Sequence, residues 1–475
     1  MSKRLLFILL FLQNGIISVS AQDSLTSVLT FDTYYQLVLE NHPVVSQANL
    51  LPEQAKQQLR LARGSFDPKL EGSWEYKDLN DTEYFNLLDV SLKIPTWFPV
   101  NPKVGFERNR GEFLNPENFI SEKTGNEQIY AGISVPLGRG LFIDNRRAVV
   151  RQATIFQDMA EAEQIKAINK ILLTATKDYW EWYNAYENYR LMLQSIGIAE
   201  DIFNRTQQAF IYGEAAMIDT VQAKITLQKR IIDYEQAKIE RLEAALELSN
   251  HLWTEEGRPL ELQENVVPER FVQITLDEGL LQELYLAARD NHPELLKLRL
   301  KINSLQIDQS LARENFKPQI DVSYTILDQP FTPNGETTDI TFRDNFKVGV
   351  DFSFPVFLRK ERAKLRQTEF KILDSEYELD FSERRIINNI NARYNIVLTT
   401  INLIREQSGM VRNYELIVNA ERLNLLQGES DLFKLNAQLD KLIESQTKLF
   451  KLRSQFKKDV AELYWIAGIR NLGNL

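Results

Sequence analysis

The chain contains few side chains of the kinds that catalyse reactions or bind metals. Its three histidines are His42, His251 and His292, and it has no cysteine. Two of these histidines precede a proline in an Asn-His-Pro sequence, where a turn explains the residues better than a metal site does. No zinc-ligand spacing and no serine, histidine and aspartate arrangement is present. The sequence therefore predicts no catalytic residue, no metal site and no cofactor.

One short stretch has the composition of a phosphate-binding loop. Gly138-Arg139-Gly140 follows a predicted strand and precedes a predicted helix. It lacks the lysine and the spacing of the P-loop motif. Because a chain needs a tight turn at such a junction in any case, we interpret these glycines as turn residues.

The first residues have the pattern of a secretory signal peptide covering residues 1–21. Lys3-Arg4 is the basic start, Leu5 to Leu12 is the apolar run, and Val19-Ser20-Ala21 is a small-residue cleavage site. The apolar run is shorter than the roughly 20 residues that span a bilayer. The absence of cysteine excludes a lipid anchor on that residue. We therefore expect an exported chain, and its formal net charge of -10 disfavours nucleic-acid binding.

The chain of 475 residues is organised around a long amphipathic stretch that occurs twice, at about 145–212 and 360–426. Neither copy contains proline, so each predicts a continuous helix on the order of 100 Å long. Each is followed by a glycine and a second helical stretch, which predicts helical hairpins at 145–251 and 360–466. A dense aromatic cluster around Trp180 on the first long helix is interpreted as helix packing rather than a ligand site.

Other sequences recur at a second constant offset. Asn41-His42-Pro43 returns as Asn291-His292-Pro293, and Phe66-x-Pro68 returns as Phe316-x-Pro318. This duplication predicts two similar halves, residues 22–265 and 266–475, within one elongated body.

After Pro68 and Pro318 the apolar period changes from helical to two, which predicts strands. The second half predicts a β-hairpin at about 318–355. One face of that hairpin is apolar and is interpreted as lipid-facing: Ile320, Val322, Tyr324, Phe346, Val348, Val350 and Phe352. Two hairpins per chain, four strands in all, cannot close a barrel, and open strand edges are not tolerated in lipid. Three copies would supply twelve strands.

The first half carries an insertion at about 78–125 that the second half lacks. It contains two further alternating runs, separated by Pro95, Pro99 and Pro102. These runs predict either additional strands or an extracellular cap. We favour an extracellular excursion, because prolines suit loops and edges better than a central ladder.

Taken together, these features resemble the TolC-like outer-membrane efflux proteins over essentially the whole mature chain. The resemblance rests on the order and duplication of the Asn-His-Pro sequences, the Gly-Glu pairs after the long helices, and the strand-helix junctions at Pro68, Pro136, Pro318 and Pro355.

The resemblance implies an α+β membrane protein and a passive export function. Three copies would form a homotrimer whose twelve-stranded β-barrel lies in the outer membrane of a Gram-negative bacterium and continues as a periplasmic α-helical tunnel. The expected partners are outer-membrane lipid, a periplasmic adaptor and an inner-membrane pump of the RND, ABC or MFS class. The expected cargo is small toxic compounds, or proteins in type I secretion.

The resemblance also implies that the tips of the helical hairpins form the periplasmic gate and the adaptor-docking surface. The corresponding residues are Gly213, Glu214, Asp219, Gly428, Glu429, Asp431 and Lys434. The chain departs from the family at Lys434 and Ala437, where the family commonly has aspartate. We hypothesise that Asp219 and Lys434, at equivalent positions of the two halves, pair across the closed tip.

Two alternatives remain at this stage. The same fold would also serve an exporter dedicated to metal ions or proteins. A protein of a different class, a coiled-coil scaffold without a pore, would explain the helices but would leave the apolar strand faces unexplained.

Overall fold

A computed structural model describes residues 27–469 except 121, 123–124, 273–276, 278 and 329–344. The predicted signal peptide and the connection between the last two strands lie outside the described residues. The helices are α1 (Phe31–Asn41), α2 (Pro43–Arg63), α3 (Asn145–Ile211), α4 (Met217–Ser249), α5 (Leu280–Asn291), α6 (Pro293–Glu314), α7 (Arg359–Leu426) and α8 (Leu432–Ile466). The strands are β1 (Ser27–Leu29), β2 (Lys69–Leu79), β3 (Thr82–Lys93), β4 (Asn101–Arg110), β5 (Glu127–Pro136), β6 (Val266–Pro268), β7 (Gln319–Asp328) and β8 (Phe346–Ser353).

The internal duplication is visible in the order of the elements. Each half has two helices joined at an Asn-His-Pro sequence, then strands, then a long helix and a shorter returning helix. His42 and His292 each cap the second helix of their half, because the ring Nδ1 accepts the backbone N–H of Val44 at 3.1 Å and of Glu294 at 3.2 Å. The proline that follows occupies the first helical turn, where no N–H is needed.

The two long helices are confirmed. α3 has 67 residues and α7 has 68, which corresponds to about 100 Å each. The aromatic cluster on α3 packs against α1, with Tyr179, Trp180, Trp182 and Tyr183 all buried. In the second half, Ile390, Phe456 and Leu463 occupy the corresponding core between α5, α7 and α8. Helix packing, rather than ligand binding, therefore accounts for these residues.

The main sheet differs from the sequence-based expectation in its number of strands. Among the described residues it has six antiparallel strands in the order β2-β3-β4-β5-β7-β8, not four per chain. The two additional strands, β3 and β4, come from the region that we predicted to be an extracellular excursion. These residues hydrogen-bond on both sides within the sheet, so they form the additional strands that we also considered and not a loop. Whether they lie outside the membrane stays a prediction.

The prolines do not prevent this pairing because they lie at the ends of the strands. Pro95 and Pro99 belong to the connection between β3 and β4. Pro102 is the second residue of β4, and its carbonyl accepts the N–H of Ile94 at 2.9 Å. None of these positions removes a donor from the middle of the ladder.

Candidate functional site: the sheet surface and the helix tips

The six-stranded sheet has one continuous apolar face. The register places Val322 opposite both Val135 and Val350, and Val90 opposite both Gly72 and Phe106. Apolar side chains from all six strands therefore share this face, here called the apolar face. Its exposed members are Leu70, Trp74, Tyr76, Val90, Leu92, Val104, Ile133, Tyr324, Phe346, Val348, Val350 and Phe352.

No other part of the chain that the structure describes covers these apolar side chains. Their exposed fractions range from 36% at Val90 to 75% at Leu70. Soluble monomers rarely expose a contiguous apolar patch of this kind. The seven residues predicted from the sequence to face lipid all lie on this surface.

The opposite face of the sheet, here called the polar face, carries charged and hydrogen-bonding side chains. Glu71 and Lys93 form an ion pair at 2.5 Å between β2 and β3. The hydroxyl of Tyr130 on β5 donates to the carboxylate of Asp89 on β3 at 2.9 Å, across the intervening strand β4. This division into apolar and polar faces is that of a barrel wall with lipid on one side and water on the other.

Exposed aromatic side chains cluster where the sheet joins the helices. Phe98, Phe142 and Phe357 are each about 70% exposed. A cation lies close to two of these rings, Lys317 Nζ at 4.5 Å from the centroid of Phe142 and Arg359 Cζ at 5.1 Å from that of Phe357. Aromatic side chains with basic neighbours are typical of the boundary between membrane and water. The Trp97-Phe98 sequence was the available signal for this feature, and sequence reasoning did not identify its role.

The predicted strand-helix junctions are tightly bonded. The carbonyl of Pro318, just before β7, accepts the N–H of Arg139 at 2.8 Å. A Cβ atom on Gly138 would lie only 2.0 Å from that carbonyl oxygen. Gly138 is therefore required by the close approach of two backbones at this junction. Pro68 precedes β2, Pro136 ends β5 and Pro355 follows β8, so all four junction prolines lie at strand ends.

The two helical hairpins end in turns of the same geometry. Gly213 and Gly428 have φ values of 78° and 77°, in the left-handed region that favours glycine after a helix. The N–H of Glu214 donates to Ala209 at 2.8 Å, and that of Glu429 donates to Asn424 at 2.9 Å. These bonds satisfy carbonyl groups at the ends of α3 and α7. The predicted tips are thus confirmed as turns, and their gating and docking roles stay predictions.

The charged residues at the tips cap helices. The Asp219 carboxylate accepts the N–H of Ala216 at 3.1 Å, and the Asp431 carboxylate accepts the N–H of Lys434 at 2.8 Å. No ion pair joins Asp219 to Lys434 within the described part of one chain. The hypothesis of a lock between these residues therefore applies only to contacts between different copies of the chain.

The structure reveals an ionic contact near the tips that sequence reasoning missed. Asp440 on α8 accepts hydrogen bonds from two neighbouring side chains of α4, Arg230 and Lys229, the latter at 3.1 Å. Partial burial works against ionisation of Asp440, but these bonds outweigh it and hold the pKa of its carboxyl below the ordinary value. Two cations on α4 therefore balance the negative charge of Asp440.

A second buried polar contact lies beside the first Asn-His-Pro turn. His251 Nδ1 is 3.4 Å from His42 Nε2, and His251 Nε2 is 2.8 Å from the Asp178 carboxylate. Because His42 Nδ1 already accepts a backbone N–H, its proton lies on Nε2 in the neutral form. Burial lowers the pKa of His42, and the neighbouring His251 makes a smaller contribution in the same direction. Within the described residues, no group of three or more His, Asp or Glu side chains is arranged to hold a metal ion.

No helix in the described part of the chain combines the length and the low charge needed to cross a membrane.

Comparison with known proteins identifies the family. The sequence model of the outer membrane efflux protein family matches residues 34–252 and 284–469, which is most of the chain. A search of curated protein sequences found no significant match.

Solved structures share the fold over nearly the whole chain. The CmeC outer membrane channel of Campylobacter jejuni is 14% identical, with a TM-score of 0.63 over 92% of this chain and 85% of that one. The VceC outer membrane protein of Vibrio cholerae is also 14% identical, with a TM-score of 0.63 over 92% and 96%. The open state of the MtrE outer membrane channel of Neisseria gonorrhoeae is 14% identical, with a TM-score of 0.66 over 92% and 89%.

The apolar sheet face, the paired long helices and the family match lead to one conclusion. The chain belongs to the outer membrane efflux protein family, a family of export channels and not of enzymes, and it is an outer-membrane export channel.

Proposed function

We propose that three copies of this chain assemble into a passive channel that crosses the outer membrane and continues through the periplasm. The observation that carries this proposal is the six-stranded sheet, which among the described residues has an uncovered apolar face and two unpaired edges, β2 and β8. Open strand edges are not stable in lipid, so other chains must pair with them. The helices would extend the lumen of the barrel by about 100 Å.

The long helices carry a second set of uncovered apolar residues. On α4, exposed apolar residues recur every seven positions at Ile218, Ile225, Ile232, Ile239 and Leu246. A row of this spacing is typical of helices that pack lengthwise against other helices. Because no described residue of the same chain covers this row, we propose that a neighbouring copy packs against it.

α7 carries a comparable row at the same spacing. Ile396, Leu403, Met410 and Ile417 are all exposed and lie seven residues apart. Packing between such rows on adjacent copies would close the helices into a tunnel around the axis of the assembly.

The tips of the helical hairpins would bind a periplasmic adaptor, through which an inner-membrane pump of the RND, ABC or MFS class delivers its cargo. Large apolar side chains at both tips support this role, since Tyr212, Met217, Leu426 and Phe433 are exposed. Gating would be a rigid-body movement of the hairpins at Gly213 and Gly428, driven by tighter binding of the adaptor to the open state.

Purified protein reconstituted into planar bilayers tests the proposal. We expect a trimer that requires detergent and that conducts ions as single channels. A water-soluble monomer, or a trimer that never conducts, would contradict it.

A matched pair of variants tests the helical contact. Ile232→Glu places a charge in the exposed row of α4, and we expect it to weaken the trimer. Lys238→Gln makes the same change in net charge at an exposed position about 100° around the helix from this row, and it should leave assembly unchanged.

A further inference from the structure

We propose that the inserted hairpin β3–β4 is part of the membrane-spanning wall, so that each copy contributes six strands and a trimer closes a barrel of eighteen. This inference rests on the proposed trimeric channel and adds to it the number of strands, the width of the barrel and the pair of edges that join neighbouring copies.

The inserted hairpin crosses the full height of the sheet twice. β3 starts at a tight turn with Asn80 and Asp81, both at positive φ, at the end of β2 farthest from α2. The connection from β3 to β4 lies at the opposite end, beside the helices. There the ring of Trp97 lies 5.5 Å from that of Phe66, and Arg146 Nη2 donates to Asn101 at 3.4 Å. A cap on the outer surface of the membrane would not reach the helices.

The inserted strands carry the same division of faces as the others. Val90, Leu92, Val104 and Phe106 lie on the apolar face, in register with one another. Val104 is paired with Ala131 of β5, whose neighbour on β7 is Ile326. The apolar surface therefore continues without a gap through β3 and β4, as a lipid-facing surface requires.

The polar face contains a contact that requires both inserted strands. The side chain of Tyr130 on β5 lies over Gly105 of β4, and a Cβ atom at Gly105 would lie only 2.3 Å from the tyrosine ring. The missing side chain at Gly105 lets Tyr130 reach Asp89 on β3. Lys103 Nζ lies 4.7 Å from the centroid of the same ring. A glycine, a tyrosine and an aspartate on three adjacent strands thus fit together in the six-stranded arrangement.

The geometry of the sheet is compatible with closure between copies. Because neighbouring strands alternate in direction, β8 of one copy and β2 of the next would pair in an antiparallel manner. Lys69 lies at the helix end of β2. The residues paired with it, followed from strand to strand across the sheet, end at Lys347 on β8. Lys347 lies six residues before Ser353, which is at the helix end of β8.

This stagger gives a strand tilt that can be compared with known barrels. Six residues correspond to about 20 Å along a strand, and six strand spacings correspond to about 29 Å across the sheet. If Lys69 of one copy lies opposite Ser353 of its neighbour, these lengths give a tilt of about 35°, which is within the usual range for barrels. Both residues lie on the polar face, so the apolar face also continues from copy to copy.

The consequence is a wider barrel than twelve strands would form. Barrel diameter grows roughly in proportion to strand number, so eighteen strands give a barrel about 1.5 times as wide. Because each copy would still contribute two long helices and two shorter returning helices to the tunnel, the proposed barrel would be wider relative to the tunnel below it.

Spin labels on single cysteines test this proposal in the reconstituted trimer, and the chain has no native cysteine to interfere. Val90→Cys and Val104→Cys place labels on the apolar face of β3 and β4. Val350→Cys is the matched control on the apolar face of β8, and Lys103→Cys places a label on the polar face of β4. The readout is the collision rate of each label with oxygen, which dissolves in lipid, relative to a water-soluble nickel chelate.

We expect the labels at Val90 and Val104 to match the label at Val350, with an oxygen-to-nickel ratio several-fold higher than at Lys103. If Val350 shows the lipid signature while Val90 and Val104 show water contact or burial in protein, the hairpin lies outside the membrane and the inference fails, but the proposed channel stands. If Val350 is also in contact with water, the proposed channel itself fails. Electron cryomicroscopy of the trimer gives an independent count, and twelve strands instead of eighteen would overturn the inference.

Discussion

Replacing Asp440 with asparagine tests whether the contact between α4 and α8 is held by a buried arginine. Arg230 and Lys229 both bind this carboxylate, but the Arg230 side chain is 5% exposed, whereas that of Lys229 is 54% exposed. Asp440→Asn leaves the buried guanidinium without its main carboxylate partner, although Asp233 remains 3.5 Å away. Because both cations bind the same carboxylate, the ion pair of a buried cation can be compared with that of an exposed one.

The burial of each cation determines how much stability we expect each substitution to cost. An exposed ion pair contributes about 0–1 kcal/mol, so Lys229→Gln should have an effect in that range. A buried charged group that loses a hydrogen-bond partner costs about 1–3 kcal/mol. We expect the loss of stability in Asp440→Asn to fall in this higher range, because the guanidinium of Arg230 stays buried after its carboxylate partner is removed.

Hydrogen exchange of the assembled channel, measured by mass spectrometry, localises the effect. A loss of about 1–3 kcal/mol in local opening free energy corresponds to about 5- to 150-fold faster exchange in the segments of α4 and α8 around Arg230 and Asp440. The sheet and the aromatic core around Trp180 should exchange as in the unmodified protein. Equal, small effects of Asp440→Asn and Lys229→Gln would refute the reasoning.

The pH dependence provides a check on the same contact. A carboxyl whose pKa is lowered in the folded state stabilises the protein at pH values above its unfolded pKa, and this contribution is lost as the pH falls through the lowered value. The Asp440→Asn variant should lack this part of the acid destabilisation. If both proteins lose protection identically between neutral and acid pH, the Asp440 carboxylate does not stabilise this contact.

Three further changes test other parts of the structure. Gly105→Ala should lower the melting temperature of the trimer, because the added methyl group meets the Tyr130 ring, at a cost of about 1–3 kcal/mol. In a Tyr130→Ala background the same change should have little effect, and equal effects in the two backgrounds would contradict this packing. Because burial lowers the pKa of His42, the unfolded chain binds more protons than the folded chain just below pH 6.5, and stability should fall as the pH decreases there. His42→Asn keeps a helix cap and should reduce the pH dependence of the melting temperature, whereas an unchanged pH dependence would contradict a role for His42. Lys434→Glu should raise single-channel conductance if Asp219 of another copy pairs with Lys434 in the closed state, whereas unchanged conductance would exclude that lock.

The helices and four of the strands could be predicted from the sequence because their patterns are long or duplicated. The absence of proline and the constant offset between the halves located α3 and α7 to within about a residue. Pro68 and Pro318, followed by period-two alternation, located β2 and β7. The glycines at the hairpin tips have the positive φ that their position after a helix predicts.

The inserted strands could not be assigned with the same rules. The alternation in β3 is interrupted at Leu87-Leu88, and the turn before it is Asn80-Asp81, without the glycine that usually marks such hairpins. Prolines near the ends of these strands were interpreted as loop residues, although at these positions they leave the ladder intact. The contact of Asp440 with Arg230 joins residues far apart in the sequence, and no local pattern indicates which of many surface charges will meet.

The central claim is that other copies of the chain complete the sheet. Cross-linking between the two edges of the sheet is its most direct test. In the proposed register, Glu71 on β2 and Asp351 on β8 of the next copy lie opposite each other on the polar face. Within one chain these edges are separated by five strand spacings, about 24 Å along the sheet, so a disulfide between them joins different copies. Leu70→Cys with Asp351→Cys, on opposite faces, is the matched control.

Oxidation of the Glu71→Cys and Asp351→Cys double variant in intact outer membranes is predicted to give a covalent trimer as the largest product on a non-reducing gel, with little product from the control. Only monomers from the double variant, or an open-ended ladder of larger oligomers, would contradict a closed ring of three copies.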